Sequence, residues 1–397
     1  MALSFLFTIV RYQVKLLFRD WILWLLFLAL LVTTLIYQLN IQGTFSGTGG
    51  NFYSMLPSFI PATNAWFFNL LQVLPLLYLS GNYIYRNRKL DTLAVIDSRA
   101  QGNASCTGGM SLGIVIVFLF FGAISLFLGI LVNLFVSKLA FNGWNSLFYL
   151  FTYIVPTTIF LTGFSFFVVY LTRNRLFSFI LLIGYLLLTV VFLPDACQGL
   201  FDPFALHVPN IFSDMVGFPD PWGYFLHRFC WLLCGIVFFS AAVVLSRRLP
   251  NSTRDKRLWR FVCVICFVLG AGNGTTFYLR YQGSVEARRL YRDVYVHYNS
   301  YPKVTLLDLD LDYESRGNRL SVDCRLRVRN QNKEHVENLL LYLNPSLELE
   351  SARVDGKDIP WKRDEQVLLL YSDLAAGEVC EVEIRYRGKI DERICYV

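Results

Sequence analysis

SLGIVIVFLFFGAISLFLGILVNLFV, residues 111–136, contains no charged side chain. A helix of about 20 apolar residues is long enough to cross the hydrocarbon core of a bilayer. Lipid offers the backbone no hydrogen-bond partners, so an apolar run of this kind crosses as a helix, which satisfies its own polar groups. The stretch therefore predicts a transmembrane helix.

The whole chain has the composition of a membrane protein. Its 397 residues are 55% hydrophobic and 16% charged, whereas a soluble globular domain carries about 25% charged residues. The apolar residues collect in long runs rather than in the short segments of a soluble core. We predict seven spans, near residues 21–39, 60–84, 111–136, 148–171, 176–194, 226–246 and 261–279.

Two of these spans contain residues that disturb a simple apolar helix. The second combines prolines with polar side chains, at Pro61, Pro75, Asn64, Asn69 and Gln72, and the fourth contains Pro156. Proline removes a helical hydrogen bond and kinks the helix. Polar side chains in a span are expected to face other helices. Both spans should therefore be bent and packed inside a bundle.

The charge divides the chain into two parts. Residues 1–280 contain 18 Lys and Arg and 8 Asp and Glu, while residues 281–397 contain 18 and 21, which together give the net charge of +7. The last 117 residues are thus far denser in charge and are expected to lie in water. We predict an amphipathic helix over 1–20, a transmembrane domain over 21–280, a linker over 281–300 and a β-domain over 301–397.

The carboxy-terminal part shows the alternation of half-buried strands. LDLDLDYE (307–314), LSVDCRLRVR (320–329) and VCEVEIRY (379–386) place apolar residues at every second position. A period of two with one apolar face is typical of antiparallel strands that bury that face. Turns are expected at residues 315–318 and at Asp355-Gly356. We predict a β-sandwich-like domain.

Basic residues predict the orientation in the membrane. Fifteen Lys and Arg precede the first span or follow the second, fourth and sixth, and the opposite short loops contain only Lys138 and Arg228. Basic loops stay in the cytoplasm. The amino terminus is therefore expected to be cytoplasmic, and seven crossings place the β-domain outside.

The segment before the first span has helical amphipathicity. Phe5, Ile9, Val14 and Leu17 lie near one stripe, and Arg11, Lys15 and Arg19 lie on another. This pattern favours a helix on the inner membrane surface. The alternative is a plain basic extension of the first span.

Several catalytic and metal-binding motifs are absent from the sequence. No G-x-x-x-x-G-K-[ST] loop occurs, since GTFSGTGG (43–50) lacks the lysine, and neither H-E-x-x-H nor a nucleophile elbow is present. The four histidines are scattered, so no metal site is expected from this chain alone. We therefore do not expect the chain to be an enzyme.

The cysteines suggest core residues rather than chemistry. Cys263 and Cys266 form C-x-x-C inside the last predicted span, and Cys230 and Cys234 lie one turn apart in the span before it. Small polarisable core residues are the favoured interpretation. In the β-domain a buried thiol at Cys380 is expected, and a disulfide bond with Cys395 is the alternative left open.

The spans contain few groups that carry protons. None of the seven has Asp, Glu or Lys in its hydrophobic body, and His227 and Arg228 are placed at the outer edge of the sixth. A proton-coupled carrier needs ionisable groups at depth. A secondary carrier is thereby disfavoured, although sodium can bind neutral oxygens.

The loop after the second span suggests a partner. YRNRKLDTLAVIDSRAQGNAS (85–105) mixes charge with apolar residues at near-helical spacing. Its position and composition resemble the coupling segment of type-2 ABC exporter permeases, although Gly108-Gly109-Met110 replaces that family's usual Gly-Lys. The resemblance implies a docking surface for a cytoplasmic ABC ATPase, formed by Arg86, Arg88, Lys89, Asp91, Asp97 and Arg99. The alternative is topogenic charge alone.

A second resemblance lies between the fifth and sixth spans. PDACQGLFDPFALHVPNIFSDMVGFPDPW (194–222) is rich in proline and contains Phe201, Asp202, Pro203 and Phe204 in sequence. It resembles the external re-entrant segment of type-2 permeases that are fused to a peptidase-like domain. In the following HRFCW (227–231), Arg228 and Trp231 match the start of their next span.

The tail resembles the amino-terminal β-domain of aminopeptidase N-type (gluzincin) metallopeptidases. The similar phrases are LDLDLDY (307–313), residues 325–361 with NPSLEL and VDG, and DLAAGEVCEVEIRYRGKID (373–391). They cover about residues 300–397. The zinc helix of that family has no counterpart in this sequence, so no catalytic residue is carried over.

Together these features predict a polytopic α-helical membrane protein, similar to an ABC type-2 exporter, with an extracytoplasmic β-domain. The resemblance implies the permease subunit of an exporter in the plasma (bacterial inner) membrane, as a homodimer or with a related permease. ATP and Mg²⁺ would be bound by the separate ATPase; this chain is expected to bind no cofactor and no nucleic acid. The alternative function is a membrane-anchored peptidase-like or peptide-binding module without its own catalytic site. The sequence does not disclose the cargo.

Overall fold

The structure is a computed structural model that describes residues 2–45, 58–89, 103–138, 142–193, 196–197, 199–206, 208, 211–212, 218, 220–246, 253–316 and 319–391. The chain divides into two compact units, Met1–Leu279 and Arg280–Val397. We call them the helical unit and the β unit. Each is described by itself.

The described residues form ten α-helices and three π-helical turns. The α-helices are α1 (Ala2–Phe18), α2 (Trp21–Phe45), α3 (Phe59–Leu71), α4 (Val73–Lys89), α5 (Asn103–Val132), α6 (Gly143–Tyr149), α7 (Val155–Thr172), α8 (Arg175–Leu187), α9 (Pro221–Leu245) and α10 (Thr253–Tyr298). The π-helical turns cover Asn133–Ser137, Leu150–Ile154 and Leu188–Phe192. Residues 281–298 of the predicted linker belong to α10.

Within the described part of the chain, six helical segments are long and apolar enough to cross a membrane: Trp21–Gln42, Phe59–Asn82, Ala104–Ser137, Gly143–Thr172, Pro221–Leu245 and Lys256–Tyr298. The fifth predicted span is a shorter apolar helix, Leu176–Phe192. At 1.5 Å per residue it is about 25 Å long, close to the hydrocarbon thickness of about 30 Å. The number of crossings and the orientation stay predictions.

Glycines allow α1 to pack against α5. A Cβ atom added at Gly109 would lie 2.5 Å from Ile9 Cγ2, and one at Gly113 would lie 2.7 Å from Gln13 Cβ. Gly109 and Gly113 are four residues apart, the spacing that lets two helices approach closely. The predicted amphipathic helix is confirmed as a helix, while its place on the membrane surface stays a prediction.

The burial of α1 matches the predicted stripes. Leu17 is fully buried, and the basic residues Arg11 and Lys15, together with Arg19 just beyond the helix, are exposed. The charged side chains of this segment therefore lie outside the contact with α5. The buried stripe also contains Gln13, which the apolar pattern did not include.

The described residues of the β unit form eight strands: β1 (Thr305–Arg316), β2 (Arg319–Arg329), β3 (Leu339–Tyr342), β4 (Leu347–Val354), β5 (Lys357–Asp358), β6 (Trp361–Asp364), β7 (Val367–Leu370) and β8 (Val379–Gly388). One antiparallel sheet has the order β1-β2-β8-β4-β5 and the other has the order β3-β7-β6. Asp355 and Gly356, both at positive φ, form the predicted turn between β4 and β5.

The two sheets share one core. Cys324 and Leu326 of β2 and Val382 of β8 pack in a cluster with Leu339 of β3 and Leu368 of β7. The predicted alternation is confirmed in β2 and β8, where the apolar residues at every second position, from Leu320 to Val328 and from Cys380 to Tyr386, are buried or half-buried and the charged ones between them are exposed or half-buried.

The same prediction is wrong for β1. Leu309, Leu311 and Tyr313 are 46%, 46% and 67% exposed. They lie opposite buried residues of β2, since Leu309 pairs with Leu326 and Leu311 with Cys324. The reason is the width of the sheets, because β1 is the edge strand of the larger sheet and the described three-stranded sheet does not cover it.

Candidate functional site

The candidate site is a buried polar cluster in the helical unit, and its first part is a helix break at Gln72. α3 ends at Leu71 and α4 begins at Val73. Pro75 explains the break, because its ring displaces the carbonyl of the residue four positions earlier and it has no N–H to donate. Asn69 and Gln72 are fully buried here. The predicted bend and inward-facing polar residues of the second span are confirmed.

The second part is the π-helical turn that precedes α7. Pro156 cannot donate to the carbonyl of Thr152, and residues Leu150–Ile154 widen into a π-helical turn in which the Val155 N–H bonds Leu150 O. Such turns expose backbone carbonyls to other partners. The predicted disturbance at Pro156 thus becomes a set of acceptors inside the helical unit.

Arg228 of α9 fills this opening. Its Nε donates to Thr152 O at 3.0 Å, and its Nη2 donates to Tyr153 O at 2.8 Å and to Thr157 Oγ1 at 2.6 Å. Its Nη1 donates to Pro203 O at 3.0 Å. Arg228 is 2% exposed. A buried guanidinium is tolerated only when it is hydrogen-bonded, and here four oxygen atoms accept from its five N–H donors.

A chain of side-chain hydrogen bonds connects Arg228 to the helix break. Arg228 donates to Thr157 Oγ1, and Asn69 Nδ2 donates to the same hydroxyl at 3.3 Å. Gln72 Nε2 donates to Asn69 Oδ1 at 2.8 Å, and Thr158 Oγ1 donates to Gln72 Oε1 at 3.0 Å. We call Arg228, Thr157, Asn69, Gln72 and Thr158 the polar chain.

The close contact of α7 and α9 positions the polar chain. A Cβ atom added at Gly163 would lie 2.3 Å from Gly235 O, and one at Gly235 would lie 2.8 Å from the backbone of Phe160. Only glycine therefore permits this crossing. Arg228 lies two turns before Gly235 in α9 and is hydrogen-bonded to the π-helical turn that precedes α7.

Residues 199–206 form the third part of the cluster. The Asp202 carboxylate accepts the N–H of Phe204 at 2.8 Å and also the N–H of Leu206, so it closes a turn. Tyr153 donates its hydroxyl to Ala205 O at 3.1 Å. Because Arg228 and Thr157 both donate to Pro203 O, this segment is attached to α7 and α9.

His227 provides a second attachment for the same segment. The ring is fully buried, with Nε2 at 2.9 Å from Gly199 O and at 3.1 Å from Trp231 Nε1. A neutral imidazole nitrogen either donates or accepts. The tautomer therefore decides whether Nε2 bonds the Gly199 carbonyl or the indole N–H.

The predicted residues of the external segment are placed unevenly. Asp202, Pro203 and Phe204 are buried within the helical unit, while Phe201 is 48% exposed. Whether the segment is re-entrant in a membrane stays a prediction. Of the predicted docking residues, Arg86, Arg88 and Lys89 fall within the bounds of α4, but their side chains lie outside the described residues, as do Asp91, Asp97 and Arg99 entirely.

Sequence reasoning missed the burial of Arg228. It placed this residue at the outer edge of a span, but α9 begins at Pro221, seven residues earlier, and Asp220 caps the helix by accepting the Gly223 N–H. Seven residues correspond to about 10 Å of helix. The Asp-Pro pair is a helix-start signal, and it could have shown that Arg228 lies about two turns inside the helix.

The arrangement connects several segments of the helical unit. Its hydrogen bonds connect α3, the break at Gln72, α7, α9 and residues 199–206. Within the ranges that the structure describes, no three His, Cys, Asp or Glu side chains come together as metal ligands. The cluster holds several segments in one relative position.

Comparison with known proteins leaves the family open. No family model matches the sequence, and no curated protein does. Among solved structures, an M1 zinc metallopeptidase from Deinococcus radiodurans matches at 22% identity with a TM-score of 0.20. A mutant of it bound to a Tyr-Ser-Ala substrate matches at 21% identity with the same TM-score. Each match covers 22% of this chain and 21% of the other, so the chain spans about a fifth of those structures. A likeness at this TM-score does not identify the fold.

Proposed function

We propose that this chain is the permease subunit of an ATP-driven ABC-type exporter in the plasma (inner) membrane of a bacterium. A separate cytoplasmic ATPase would bind ATP and Mg²⁺ and would contact the segment at 85–105. The amino terminus would be cytoplasmic, and residues 199–206 and the β unit would lie outside. A second copy or a related permease would complete the pathway.

The observation that carries the proposal is the polar chain. It begins at the break beside α4, the helix that ends at Lys89 in the proposed docking segment, and it ends at Arg228, which bonds Pro203 of the proposed external segment. A shift of α4 would move Gln72, which is hydrogen-bonded to Asn69 of α3 and to Thr158 of α7. A movement caused by the ATPase would thereby reach residues 199–206.

Directional hydrogen bonds suit such transmission. Each neutral bond contributes about 0.5–1.5 kcal/mol net, and a bond to a charged group contributes about 1.5–3 kcal/mol. Hydrogen bonds of this size can be exchanged for others, so the polar chain can adopt a second set of hydrogen-bond partners. Burial raises the cost of leaving any member unpaired, which favours two complete arrangements over a partly broken one.

Co-purification tests the partner. Replacing Arg86, Arg88 and Lys89 with Glu should release an ATP-hydrolysing subunit that otherwise co-purifies with the chain in mild detergent. The matched control reverses Lys256, Arg257 and Arg260, a second basic cluster, and should leave the complex intact. An unchanged complex in the first variant would reject the docking segment, and absence of any ATPase from the wild-type preparation would reject the permease.

Labelling tests the transmission. Phe201 is exposed beside the buried Asp202, so a Phe201→Cys variant should react with a membrane-impermeant maleimide from outside the cell. In the ATPase complex, ATP should change the rate of that reaction, and Gln72→Leu should abolish the change. Reaction only from the cytoplasmic side would contradict the proposed orientation.

One observation favours the alternative, a membrane-anchored peptide-binding module. β1 is a 12-residue edge strand with an exposed apolar row and an acidic row on its other face. A peptide of alternating apolar and basic residues would fit as an added strand. Binding of such a peptide to the full chain, lost in Leu309→Lys, would support this function.

A further inference from the structure

A cavity of about 450 Å³ lies in the helical unit, at the end where α5 and α10 begin and α9 ends. Five helices line it, with Leu6 of α1, Leu112 of α5, Ile159 of α7, Phe239 of α9 and Trp259 of α10 among the lining residues. Small-molecule sites commonly occupy about 300–1,000 Å³. Because Leu112 is 44% exposed, the cavity reaches the outer surface of the helical unit.

The buried part of this cavity is apolar in character. Thr162 donates its hydroxyl to Thr158 O at 2.7 Å, and Ser111 donates its hydroxyl to Gly108 O at 3.1 Å. Both polar side chains are therefore already paired within their own helices. The rest of this wall is mainly aliphatic and aromatic, so it suits a hydrocarbon chain.

Two donors at the beginning of α5 and α10 differ from these paired groups. Ser105 and Trp259 line the cavity and are half-buried. Among the residues that the structure describes, neither the Ser105 hydroxyl nor the Trp259 indole N–H has a hydrogen-bond partner. Hydroxyl and indole groups both donate, so they suit the oxygen atoms of an ester or a phosphate.

A positive charge lies on the same side of α10 as Trp259. Lys256 precedes Trp259 by three residues, and Cys263, four residues after Trp259, donates its thiol to Val237 O of α9 at 3.8 Å. Helical residues three and four apart lie on one side of the helix. Lys256 is also half-buried, whereas Arg257 is exposed. Lys256 therefore lies beside the cavity, one turn closer to the beginning of α10 than Trp259.

This charge and its neighbour are not neutralised by the protein. Lys256 and Arg260 have no ion-pair partner in the described part of the chain. Basic pockets between membrane helices bind the headgroups of anionic lipids. Charge complementarity therefore favours an anion at the mouth of an otherwise apolar cavity.

We propose that this cavity binds one acyl chain of an anionic phospholipid, whose phosphate group contacts Lys256, the Ser105 hydroxyl and the Trp259 N–H. A zwitterionic lipid would bring its own cation close to Lys256. An uncharged apolar molecule would leave the ammonium and both donors without partners. The inference goes beyond the proposed function and needs no ATPase, so each can fail without the other.

Quenching of Trp259 fluorescence tests the site. The full chain is placed in phosphatidylcholine nanodiscs with a small fraction of brominated lipid, and the signal of Trp259 is obtained as the difference from Trp259→Phe. Brominated phosphatidylglycerol should quench this signal at an about fivefold lower membrane fraction than brominated phosphatidylcholine, since one Lys or Arg beside an anionic lipid contributes about that factor. Equal quenching by the two lipids, or quenching by neither, would overturn the proposal.

Two variants that remove the same charge locate the headgroup. Lys256→Gln should raise the required fraction of brominated phosphatidylglycerol about fivefold. Arg257→Gln, whose side chain lies on the opposite side of α10 from Trp259, should leave it nearly unchanged. Equal effects of the two variants would indicate diffuse surface charge and would reject the site.

A third variant tests the acyl chain. Leu112 is partly exposed, so Leu112→Phe should preserve the fold, as checked by circular dichroism, while its larger ring fills the cavity. It should weaken quenching by both brominated lipids. Undiminished quenching in this variant, or relief of the wild-type quenching by inorganic phosphate alone, would reject a lipid chain as the occupant.

Discussion

Arg228 in the helical unit and Arg385 in the β unit make opposite use of the same side chain. Arg228 is 2% exposed and bonds four oxygen atoms that belong to two helical segments and one connecting segment. Arg385 forms an ion pair with Asp323 of the neighbouring strand, and the two side chains are 56% and 55% exposed.

The difference lies in what water can replace. When the Arg385 pair opens, water solvates both charges, so an exposed ion pair adds little stability. When Arg228 loses its partners, no water takes their place, and the charge stays buried and unpaired. The buried charge of Arg228 therefore holds segments of the helical unit together. The exposed charges of the β unit mainly interact with water.

The largest expected effect comes from removing the buried arginine. Arg228→Leu leaves the Thr152 carbonyl without this donor and removes one donor each from the Tyr153 and Pro203 carbonyls, which still accept from Asn69 and Thr157 respectively. Because four hydrogen bonds to a charged group are lost, we expect the helical unit to lose about 3–5 kcal/mol. Thermal unfolding in detergent, followed by circular dichroism, measures this. Arg257→Leu, an exposed arginine of α10, is the control and should be neutral. Equal melting temperatures for the two variants would show that the buried arginine contributes no more stability than an exposed one.

The next effect tests the helix contact that positions Arg228. A Cβ atom at Gly235 would lie 2.8 Å from the Phe160 backbone, so Gly235→Ala should destabilise by about 1–3 kcal/mol through overpacking. Gly184→Ala in α8 meets nothing within 4 Å and should stabilise by about 0.5–1 kcal/mol, because alanine is the better helix former. The two variants should shift the melting temperature in opposite directions, and a shift of the same sign would contradict the packing.

A smaller effect is expected one step further along the polar chain. Gln72→Leu removes one donor and one acceptor, leaving Asn69 Oδ1 and Thr158 Oγ1 each short of one bond. We expect a loss of about 1–2 kcal/mol in the free energy of unfolding. The double variant with Arg228→Leu should lose less than the sum of the two, because the residues belong to one network. Strict additivity would show that they act independently.

The smallest effect concerns the exposed pair. The Arg385 guanidinium lowers the pKa of Asp323 below its ordinary value of 3.8. A carboxylate whose pKa is lowered on folding adds stability above its unfolded pKa and loses it as the pH falls through the folded pKa. The β unit should therefore become slightly less stable below about pH 4, and Asp323→Asn should abolish that part of the dependence. Denaturant unfolding at pH 3 and pH 7 measures it, and an identical pH profile for the variant would reject the assignment.

The exposed pair and the buried network also differ in how well they were predicted. Period-two patterns located β2 and β8 and their buried faces, since alternation follows directly from strand geometry. Likewise, Pro75 and Pro156 marked the helix break and the π-helical turn, because proline acts on its own backbone. These features depend on residues within about one turn of each other.

The misses share a different cause. The exposure of Leu309 and Leu311 depends on a second sheet that ends before it reaches β1. The burial of Arg228 depends on the contact of residues 199–206 with α9. The packing of α1 depends on Gly109 and Gly113 of α5, which lie about 100 residues away in sequence. The hydrophobic periodicity of one segment does not predict which other segment packs against it.

The amino-acid sequence by itself determined which stretches suit lipid, where helices bend, and which strands alternate, since these follow from side-chain polarity and backbone sterics acting locally. Only the tertiary structure decided which polar groups become partners. The free energy of a side chain such as Arg228 or Leu309 depends on whether water, lipid or protein surrounds it, and tertiary packing decides that.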